Sequence, residues 1–319
     1  MGSRRGDNNQ LLALAEGLKL PFETRTLAYR RSWALWLRLF PTKPFLLTRA
    51  SRSSLGEPWP DLVIGIGRRS VAIARWIRTL SGGRTKIVRL GNPRADPGLF
   101  DLIVTTAQYP VPSANNVLVL PVAMGRYSGT LKPTAAEAEW LGSVPRPHLL
   151  LSLGGPTRYW RFEDREIARA AQKLSERAVK ARGALVVAPS PRTPPSTLEA
   201  IREAGVNCQI IDEGTVRYPL LLSDADEHFV TADSVSMISE AVLTGKPVGL
   251  VPVELDEEGQ RILGASQFSS TTRDIRRFWA NLKSKGLAGT VDQPANGAIE
   301  DPVRTAVAAG RRLLGDGVE

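Results

Sequence analysis

The chain has 319 residues, of which 42% are hydrophobic and 23% are charged. At roughly 150 residues per domain this length suggests two domains, and the hydrophobic content excludes an intrinsically disordered chain. A single cysteine, Cys208, excludes an intramolecular disulfide framework. No signal peptide is visible and no apolar stretch approaches the roughly 18–20 residues of a membrane span, so we expect a cytoplasmic protein, soluble or peripheral at the inner face of a membrane.

The net charge of +10 belongs to the first half of the chain. Residues 1–145 contain 20 Lys and Arg against 9 Asp and Glu, whereas residues 146–319 contain 22 against 23. This asymmetry indicates that the first half meets an anionic partner, either a membrane surface or nucleic acid. A codon bias toward arginine is the alternative, and it explains the asymmetry less well.

Short apolar runs alternate with helical patterns, which predicts βαβ units and parallel sheets. In the first half the predicted elements are strand 61–65, helix 70–80 and strands 85–90, 99–105 and 116–121. The segment Arg30–Phe40 sets two tryptophans among arginines. It predicts a helix that either lies on an anionic membrane surface or packs in the core with its arginines exposed.

Pro145-Arg146-Pro147 predicts an interdomain linker. The elements predicted after it are strand 148–153, helix 164–182, strand 184–188, helix 196–204, strand 208–211, a short helix or turn at 220–225, strand 229–231, helix 234–244, strand 248–252, and helices 272–285 and 302–314. We therefore predict an α/β fold of two Rossmann-like domains facing a cleft. The domains are 1–145, which is basic, and 146–300, followed by a C-terminal helix, 301–319, that packs back on the first domain. Ligands of such sheets bind beyond the carboxyl ends of the strands.

The strongest local signal is the helix predicted at 234–244. Asp233 or Ser234 is a suitable N-cap, and Gly245 ends the helix. The free N–H groups of its first turn suit a phosphate. Glu240 lies one turn beyond Ser236, where its carboxylate could accept hydrogen bonds from two ribose hydroxyls. The alternative is a capped helix with a solvated glutamate.

Two other loops follow strands of the second half and carry candidate ligand-binding residues. Their glycines would let the backbone approach a ligand closely, and their hydroxyls and arginine could pair with phosphate. The residues concerned are Gly154, Gly155 and Thr157 in one loop, and Ser190, Arg192 and Thr193 in the other. Each could equally be an ordinary turn. Three such loops at one edge of a sheet are more specific than any one alone.

In the first half, Gly65-Ile66-Gly67-Arg68-Arg69-Ser70 follows a strand and opens a helix. It is a partial GxGxxG without its third glycine, and Arg89 stands near the position of the usual acidic residue. A dinucleotide site is therefore less favoured than an anionic acceptor at Gly67, Arg68, Arg69 and Ser70. His148 and His228 are the only histidines, and no Asp-x-Asp pair follows a strand, so we predict no metal site.

Six stretches together resemble the plant mitochondrial fission proteins named for an elongated-mitochondria mutant, and bacterial relatives described as glycosyltransferases. They are Gly6-Asp7-Asn8-Asn9-Gln10, Gly65–Ser70 with Ser81-Gly82-Gly83, Asn92–Asp101, Gly154–Thr157, Ser190–Pro194 and Thr231–Pro247. The resemblance implies a GT-B-like glycosyltransferase fold of the metal-independent type, without a cofactor, in which the C-terminal domain binds the nucleotide-sugar donor.

The resemblance also implies roles for individual residues. The turn from Asp233 to Ser236 and Gly154-Gly155 would hold the diphosphate, and Glu240 the ribose. A loop at Asp7–Gln10, with Asn9 and Gln10, would face the acceptor, and Asp7 would be the general base.

The chain departs from the family pattern at two points. No apolar strand precedes the Gly6–Gln10 stretch, and Gln108-Tyr109 stands where relatives carry a histidine–aspartate pair. The favoured hypothesis is an inverting glycosyltransferase acting on a membrane-associated or cell-envelope acceptor. The second is a non-catalytic fission or partner-binding protein that retains the fold. Nucleic-acid binding ranks last, because no nucleic-acid-binding module is recognisable.

Overall fold

The computed structural model describes residues 5–29, 47–67, 69–125, 131–212, 214–264, 268–269 and 271–315. The chain divides into two compact units, residues 1–126 with 300–319, and residues 127–299. The predicted helix at Arg30–Phe40 and the predicted anion-binding Arg68 lie outside the described residues.

The secondary structure is that of an α/β protein. Its helices are α1 (Arg5–Leu18), α2 (Arg49–Ser53), α3 (Ser70–Leu80), α4 (Ala135–Ser143), α5 (Asp164–Lys180), α6 (Pro195–Glu203), α7 (Tyr218–Asp224), α8 (Val235–Leu243), α9 (Glu257–Leu263), α10 (Ile275–Ser284) and α11 (Pro302–Leu314). Its strands are β1 (Leu62–Ile66), β2 (Lys86–Leu90), β3 (Leu102–Thr106), β4 (Val117–Leu120), β5 (His148–Leu153), β6 (Trp160–Arg161), β7 (Ala184–Pro189), β8 (Gln209–Ile210), β9 (Glu227–Thr231), β10 (Val248–Val251), β11 (Glu254–Leu255) and β12 (Gly289–Thr290).

The first unit is built on a four-stranded parallel sheet, ordered β1-β2-β3-β4. Successive strand residues point to opposite faces of a sheet. Val88 and Val104 accordingly pack with α1 and α11, whereas Ile87 and Ile103 pack with α3. Both faces are covered, which explains the unbroken apolar runs of these strands.

The predicted loop at Asp7–Gln10 is wrong, because these residues form the first turns of α1. Leu11, Leu14 and Leu18 follow at helical spacing, and their stripe is buried against the sheet and α11. Asp7 lies in the first turn, where a carboxylate is favoured by the helix dipole. Packing of the apolar stripe therefore extends the helix back through the polar motif.

The second unit is built on a six-stranded parallel sheet, ordered β12-β10-β9-β5-β7-β8. Taking these six strands in chain order, the arrangement is the doubly wound one of a Rossmann fold, and its direction reverses between β5 and β9. Leu149, Leu151 and Leu153 pack with α5 on one face, and Leu150 packs with α7 on the other. The two Rossmann-like sheets predicted from the sequence are confirmed.

Helix α4 belongs with the second unit, so the division falls before it, whereas the sequence placed a linker after it. Its capping box, formed by Thr134 and Glu137, is joined to the start of α7. Arg217 donates from Nε to Glu137 Oε1 and from Nη2 to Oε2, at 2.7 Å each. Trp140 packs on the same core as α7. At the other end of the chain, α11 packs with α1 in the first unit.

His148, at the start of β5, is held as an imidazolium. Its ring is 2% exposed, with Nδ1 2.5 Å from Asp224 Oδ2 and Nε2 2.9 Å from the carbonyl oxygen of Val144. Both partners accept hydrogen bonds, so both ring nitrogens must donate. The bond to Asp224 raises the pKa of His148 above its ordinary value, although burial opposes the shift.

We expect the stability contributed by His148 to depend on pH. Because the folded-state pKa is raised, the stabilisation is complete below the unfolded pKa of about 6.5 and is lost as pH rises through the folded value. His148→Gln should lower the free energy of unfolding by about 2 kcal/mol near pH 6 and by much less near pH 9, measured by urea unfolding. An equal loss at both pH values would contradict an ionised His148.

Candidate functional site

The three predicted ligand-binding loops of the second unit follow β5, β7 and β9, which are neighbours in the sheet. All three leave the carboxyl edge at the point where the strand order reverses. In open α/β sheets this is where ligands bind. The structure therefore brings together residues that are far apart in sequence, at the edge the sequence predicted.

The buried carboxylate of Asp233 links the loops. Its Oδ1 accepts a hydrogen bond from Thr231 Oγ1 at 2.7 Å, and its Oδ2 accepts one from Gly155 N at 3.1 Å. Arg192 Nη2 lies 2.9 Å from the same Oδ2. The Asp233 side chain is 1% exposed and that of Arg192 is 43% exposed, so one end of the pair faces solvent. Asp233 thus orients Arg192 instead of presenting its own carboxylate to a ligand.

Hydroxyl groups tie the second loop to the first. Ser190 Oγ donates to the carbonyl oxygen of Gly154 at 2.9 Å, and Thr193 Oγ1 lies 2.7 Å from the same oxygen. These two side chains, predicted to bind a ligand, are used within the protein. Thr157 is bridged through its backbone to Trp160, and its hydroxyl takes no part in this network of described residues.

The two glycines are required by the neighbouring loops. A Cβ at Gly154 would lie 2.3 Å from the carboxylate of Asp233, and a Cβ at Gly155 would lie 2.1 Å from the carbonyl oxygen of Arg192. The contact between the loops thus requires glycine at both positions, whereas the predicted close approach of a ligand stays a prediction. The space beside each glycine is occupied by the protein itself.

Helix α8 begins at this junction, with Ser234 as its N-cap. Ser234 Oγ accepts a hydrogen bond from Met237 N at 3.5 Å, so the cap is Ser234 and not Asp233. Trp279 was not predicted and supports the turn from the other side, since its Nε1 donates to the carbonyl oxygen of Ala232 at 2.9 Å. Its ring meets Trp160 edge-on, with centroids 4.9 Å apart. No local pattern could have revealed this long-range contact.

Glu240 lies one turn into α8 and is partly buried. Burial raises its pKa from 4.5 to about 7, and the hydroxyl of Ser236, 3.5 Å from Oε1, only partly offsets this. Tyr218 is near enough for its pKa to respond to Glu240, and its hydroxyl donates to Ser152 Oγ at 3.1 Å. A carboxyl group whose pKa is shifted this far by burial is typical of functional sites.

In the first unit, the predicted Gly67–Ser70 turn opens α3. Ser70 Oγ donates to the carbonyl oxygens of Ile66 and Gly67 at 3.0 and 2.9 Å. Arg89, which sequence reasoning did not assign, places Nη1 3.1 Å from Gly67 O and 3.1 Å from Ser70 Oγ. Burial lowers the pKa of Arg89 to about 10, and the charges of Tyr109 and Asp7 partly oppose this, so the predicted base belongs to the same neighbourhood.

The remaining predicted residues of the first unit lie near this turn or on α1. Arg69 is exposed, and its guanidinium lies 5.4 Å from the ring centroid of Tyr29. Asn9 and Gln10 are half-buried on α1. Gln108 is buried at the end of β3, where its Nε2 donates to Thr106 Oγ1 at 2.9 Å.

Two further properties follow from the described part of the chain. None of its helices is long and apolar enough to cross a membrane. None of its described side chains forms a group of three or more His, Cys, Asp or Glu that could hold a metal ion.

Two solved structures are similar to this chain. A UDP-GlcNAc 2-epimerase from Neisseria meningitidis bound to UDP-GlcNAc has a TM-score of 0.50 and 16% identity, covering 98% of this chain and 97% of that one. The ADP-heptose lipopolysaccharide heptosyltransferase II of E. coli has a TM-score of 0.42 and 13% identity, covering 77% and 81%. The fold is GT-B-like, with two Rossmann-like parallel sheets.

Sequence comparison identifies the family. The mitochondrial fission protein ELM1 of Arabidopsis thaliana is 26% identical over 233 residues, which are 64% of this chain and 54% of the plant protein. The matched region thus spans about half the length of that relative. The profile of the Mitochondrial fission ELM1 family matches residues 5–314, nearly the whole chain. The chain belongs to the Mitochondrial fission ELM1 family.

Proposed function

We propose that this protein is a metal-independent, inverting glycosyltransferase that moves a sugar from a nucleotide-sugar to a membrane-associated or cell-envelope acceptor. The proposal is carried by one observation. At the point where the strand order reverses, three loops converge on the start of α8, where the exposed Arg192 pairs with Asp233, and Glu240 follows along the same helix. This supplies a cation, free backbone N–H groups and a carboxyl group within one site.

Each group has a role in binding the donor. The diphosphate lies at the start of α8, where the helix dipole and the guanidinium of Arg192 stabilise its negative charge. Glu240 accepts hydrogen bonds from the ribose hydroxyls. Four loop residues and Asp233 hold these groups in place, namely Gly154, Gly155, Ser190, Thr193 and Asp233. Ser234 caps α8, and Ser236 hydrogen-bonds to Glu240. Thr157 lies in the same loop as the two glycines but outside this network of described residues.

In the proposed transfer step, the acceptor binds to the first unit. The acceptor oxygen attacks the anomeric carbon as the bond from that carbon to the diphosphate breaks, and the nucleoside diphosphate leaves. Asp7 takes the proton of the acceptor hydroxyl. Charge on the leaving diphosphate is stabilised by Arg192 and the start of α8.

Calorimetry with UDP, GDP, ADP and CDP tests the donor site. We expect one of these nucleotides to bind the wild type, and Glu240→Ala to weaken that affinity at least about tenfold, a loss of about 1.4 kcal/mol. Glu199→Ala, an exposed glutamate on α6, is the matched control and should bind like the wild type. If none of the four nucleotides binds, the proposal fails.

A second candidate is a non-catalytic partner-binding protein that retains the fold, as the name of the plant relative suggests. The observation that favours it lies in the first unit. The Gly6–Gln10 motif is helical, and Gln108 is buried against Thr106. Release of nucleoside diphosphate from a nucleotide-sugar in the presence of acceptor extracts, lost in Asp7→Asn, would exclude this candidate.

A further inference from the structure

Strand β4 forms one edge of the sheet in the first unit, and its outer side pairs with no described strand. On the inner side, the carbonyl oxygen of Asn116 accepts a hydrogen bond from Ile103 N at 2.7 Å. Because successive residues of a strand direct their N–H and C=O groups to opposite edges, those of Val117 and Val119 point away from β3. Val117 N donates to Ala114 O at 2.9 Å within the preceding turn. Val119 therefore keeps both a donor and an acceptor on the outer edge.

The side chain of Val119 is also uncovered, with 52% of its surface exposed. Ile103 and Val117 lie on the same face of the sheet and pack with α3. The connection from β3 to β4, residues 107–116, contains no helix that could extend this cover to Val119. The outer edge of β4 thus combines an exposed apolar side chain with unpaired backbone groups.

This edge lacks the features that usually protect an exposed strand. Soluble proteins place charges or proline on edge strands, or keep them very short, because an open edge pairs readily with other strands. The other edges of the two parallel sheets follow this rule, since β1 stands between exposed Asp61 and Arg69, and β8 and β12 are two residues long each. β4 has four residues and no proline, and residues 102–125 contain no Asp, Glu, Lys, Arg or His.

A second copy of this chain fits the edge better than a partner of another kind. Residues 1–145 contain 20 Lys and Arg against 9 Asp and Glu, so acidic partners are attracted to the basic surfaces of this half and not to an uncharged strand. Two copies repel each other over those basic surfaces, and the uncharged edge is where they can approach at the least electrostatic cost. The one N–H and one C=O of Val119 are satisfied reciprocally when two identical strands pair antiparallel across a two-fold axis.

We propose that this protein forms a homodimer in which β4 pairs antiparallel with β4 of a second copy, about a two-fold axis beside Val119. In this register Val119 N donates to Val119 O of the second copy and the reverse, so the two four-stranded sheets join into one. Leu118 then lies opposite Leu120 of the second copy, and these apolar pairs stabilise the contact. Pro121 falls opposite Val117 and ends the ladder, because proline has no N–H. The inference does not depend on the proposed transferase activity.

Sedimentation equilibrium of the full chain tests the dimer. We expect the mass to rise from 34.7 kDa toward twice that value between about 1 and 100 µM, because a small interface gives weak association. Val119→Lys places two like charges side by side at the axis and should weaken dimerisation at least about tenfold. Val179→Lys is the matched control, since Val179 on α5 is 55% exposed and should dimerise like the wild type. Both variants should unfold at the wild-type temperature when monomeric, because each side chain is exposed.

Cross-linking tests the register. Cys208 is the only cysteine of the chain, so Val119→Cys is made in a Cys208→Ser background. Directly opposite residues of a hydrogen-bonded antiparallel pair have Cα atoms about 5.5 Å apart, which a disulfide can span. Mild oxidation should therefore convert most of the Val119→Cys protein into a covalent dimer, and Val179→Cys in the same background should remain monomeric.

Three results would overturn the inference. A mass of one chain at the highest concentration would show that the edge does not bind a second copy. A dimer that persists in Val119→Lys would use another surface. Covalent dimers formed as fast by Val179→Cys as by Val119→Cys would reflect random collision, and not pairing at β4.

Discussion

Glu240→Gln is expected to raise the free energy of unfolding at about pH 8 by roughly 2 kcal/mol while weakening nucleotide binding at least about tenfold. The gain arises because the folded protein holds an ionised carboxyl group in a partly buried position. Its pKa is about 7 when folded and close to 4.5 when unfolded. As pH rises through this range the unfolded chain loses its proton first, so stability falls, and it stays low above pH 7.

Urea unfolding near pH 5 and pH 8, combined with calorimetry, measures both effects. Near pH 5 the wild-type carboxyl is protonated, so Glu240→Gln should then be close to neutral. Glu199→Gln on α6 should change neither stability nor binding. A carboxylate retained at a cost in stability would point to a ligand that uses it. A destabilised Glu240→Gln at pH 8, or unaltered nucleotide affinity, would remove Glu240 from the site.

Gly155→Ala is expected to lower the free energy of unfolding by about 3 kcal/mol and to abolish nucleotide binding. The new Cβ would lie 2.1 Å from the carbonyl oxygen of Arg192, so one of the two loops must move. Movement breaks the hydrogen bond from Arg192 Nη1 to Gly155 O and the one from Gly155 N to Asp233. The exposed guanidinium would then lose its orientation even where the chain still folds.

Gly142→Ala is the matched control for this substitution. Gly142 lies in α4 with nothing within 4 Å of the position of a new Cβ. Alanine is the better helix former, so stability should rise by about 0.5 kcal/mol, with nucleotide binding unchanged. Thermal unfolding and calorimetry on both variants would check the pair. Wild-type affinity in Gly155→Ala would show that the contact of the two loops is not needed for the ligand.

Much of the second unit follows from local patterns. β5, β7 and β9 are apolar runs of a few residues, and α8 begins at a capping residue and ends at a glycine. These signals depend on residues close together in the chain. The same reasoning placed α3 after β1, since Gly67 and Ser70 mark a turn that opens a helix.

Local patterns did not predict the helices whose formation depends on tertiary packing. Residues 5–10 are polar, and their helical state depends on the leucines that follow them and on α11, which lies at the other end of the chain. Helix α4 was not predicted, because its large apolar residues, Trp140 and Leu141, are only partly buried and pack on the core of the second unit. In both cases the deciding contacts join distant parts of the chain.

The amino-acid sequence alone specifies the class of fold, the positions of the main strands along the chain and the three loops that bear candidate ligand-binding groups. The reason is that the spacing of apolar residues, helix caps and glycines are signals that depend on residues close together in the chain. Long-range packing decides which side chains of those loops remain available to a ligand and which are used within the protein. Arg192 meets Asp233 across 41 residues, Trp279 meets Ala232 across 47, and Arg89 meets Ser70 across 19. Burial, which exists only in the folded chain, then raises the pKa of Glu240 to about 7 and lowers that of Arg89 to about 10.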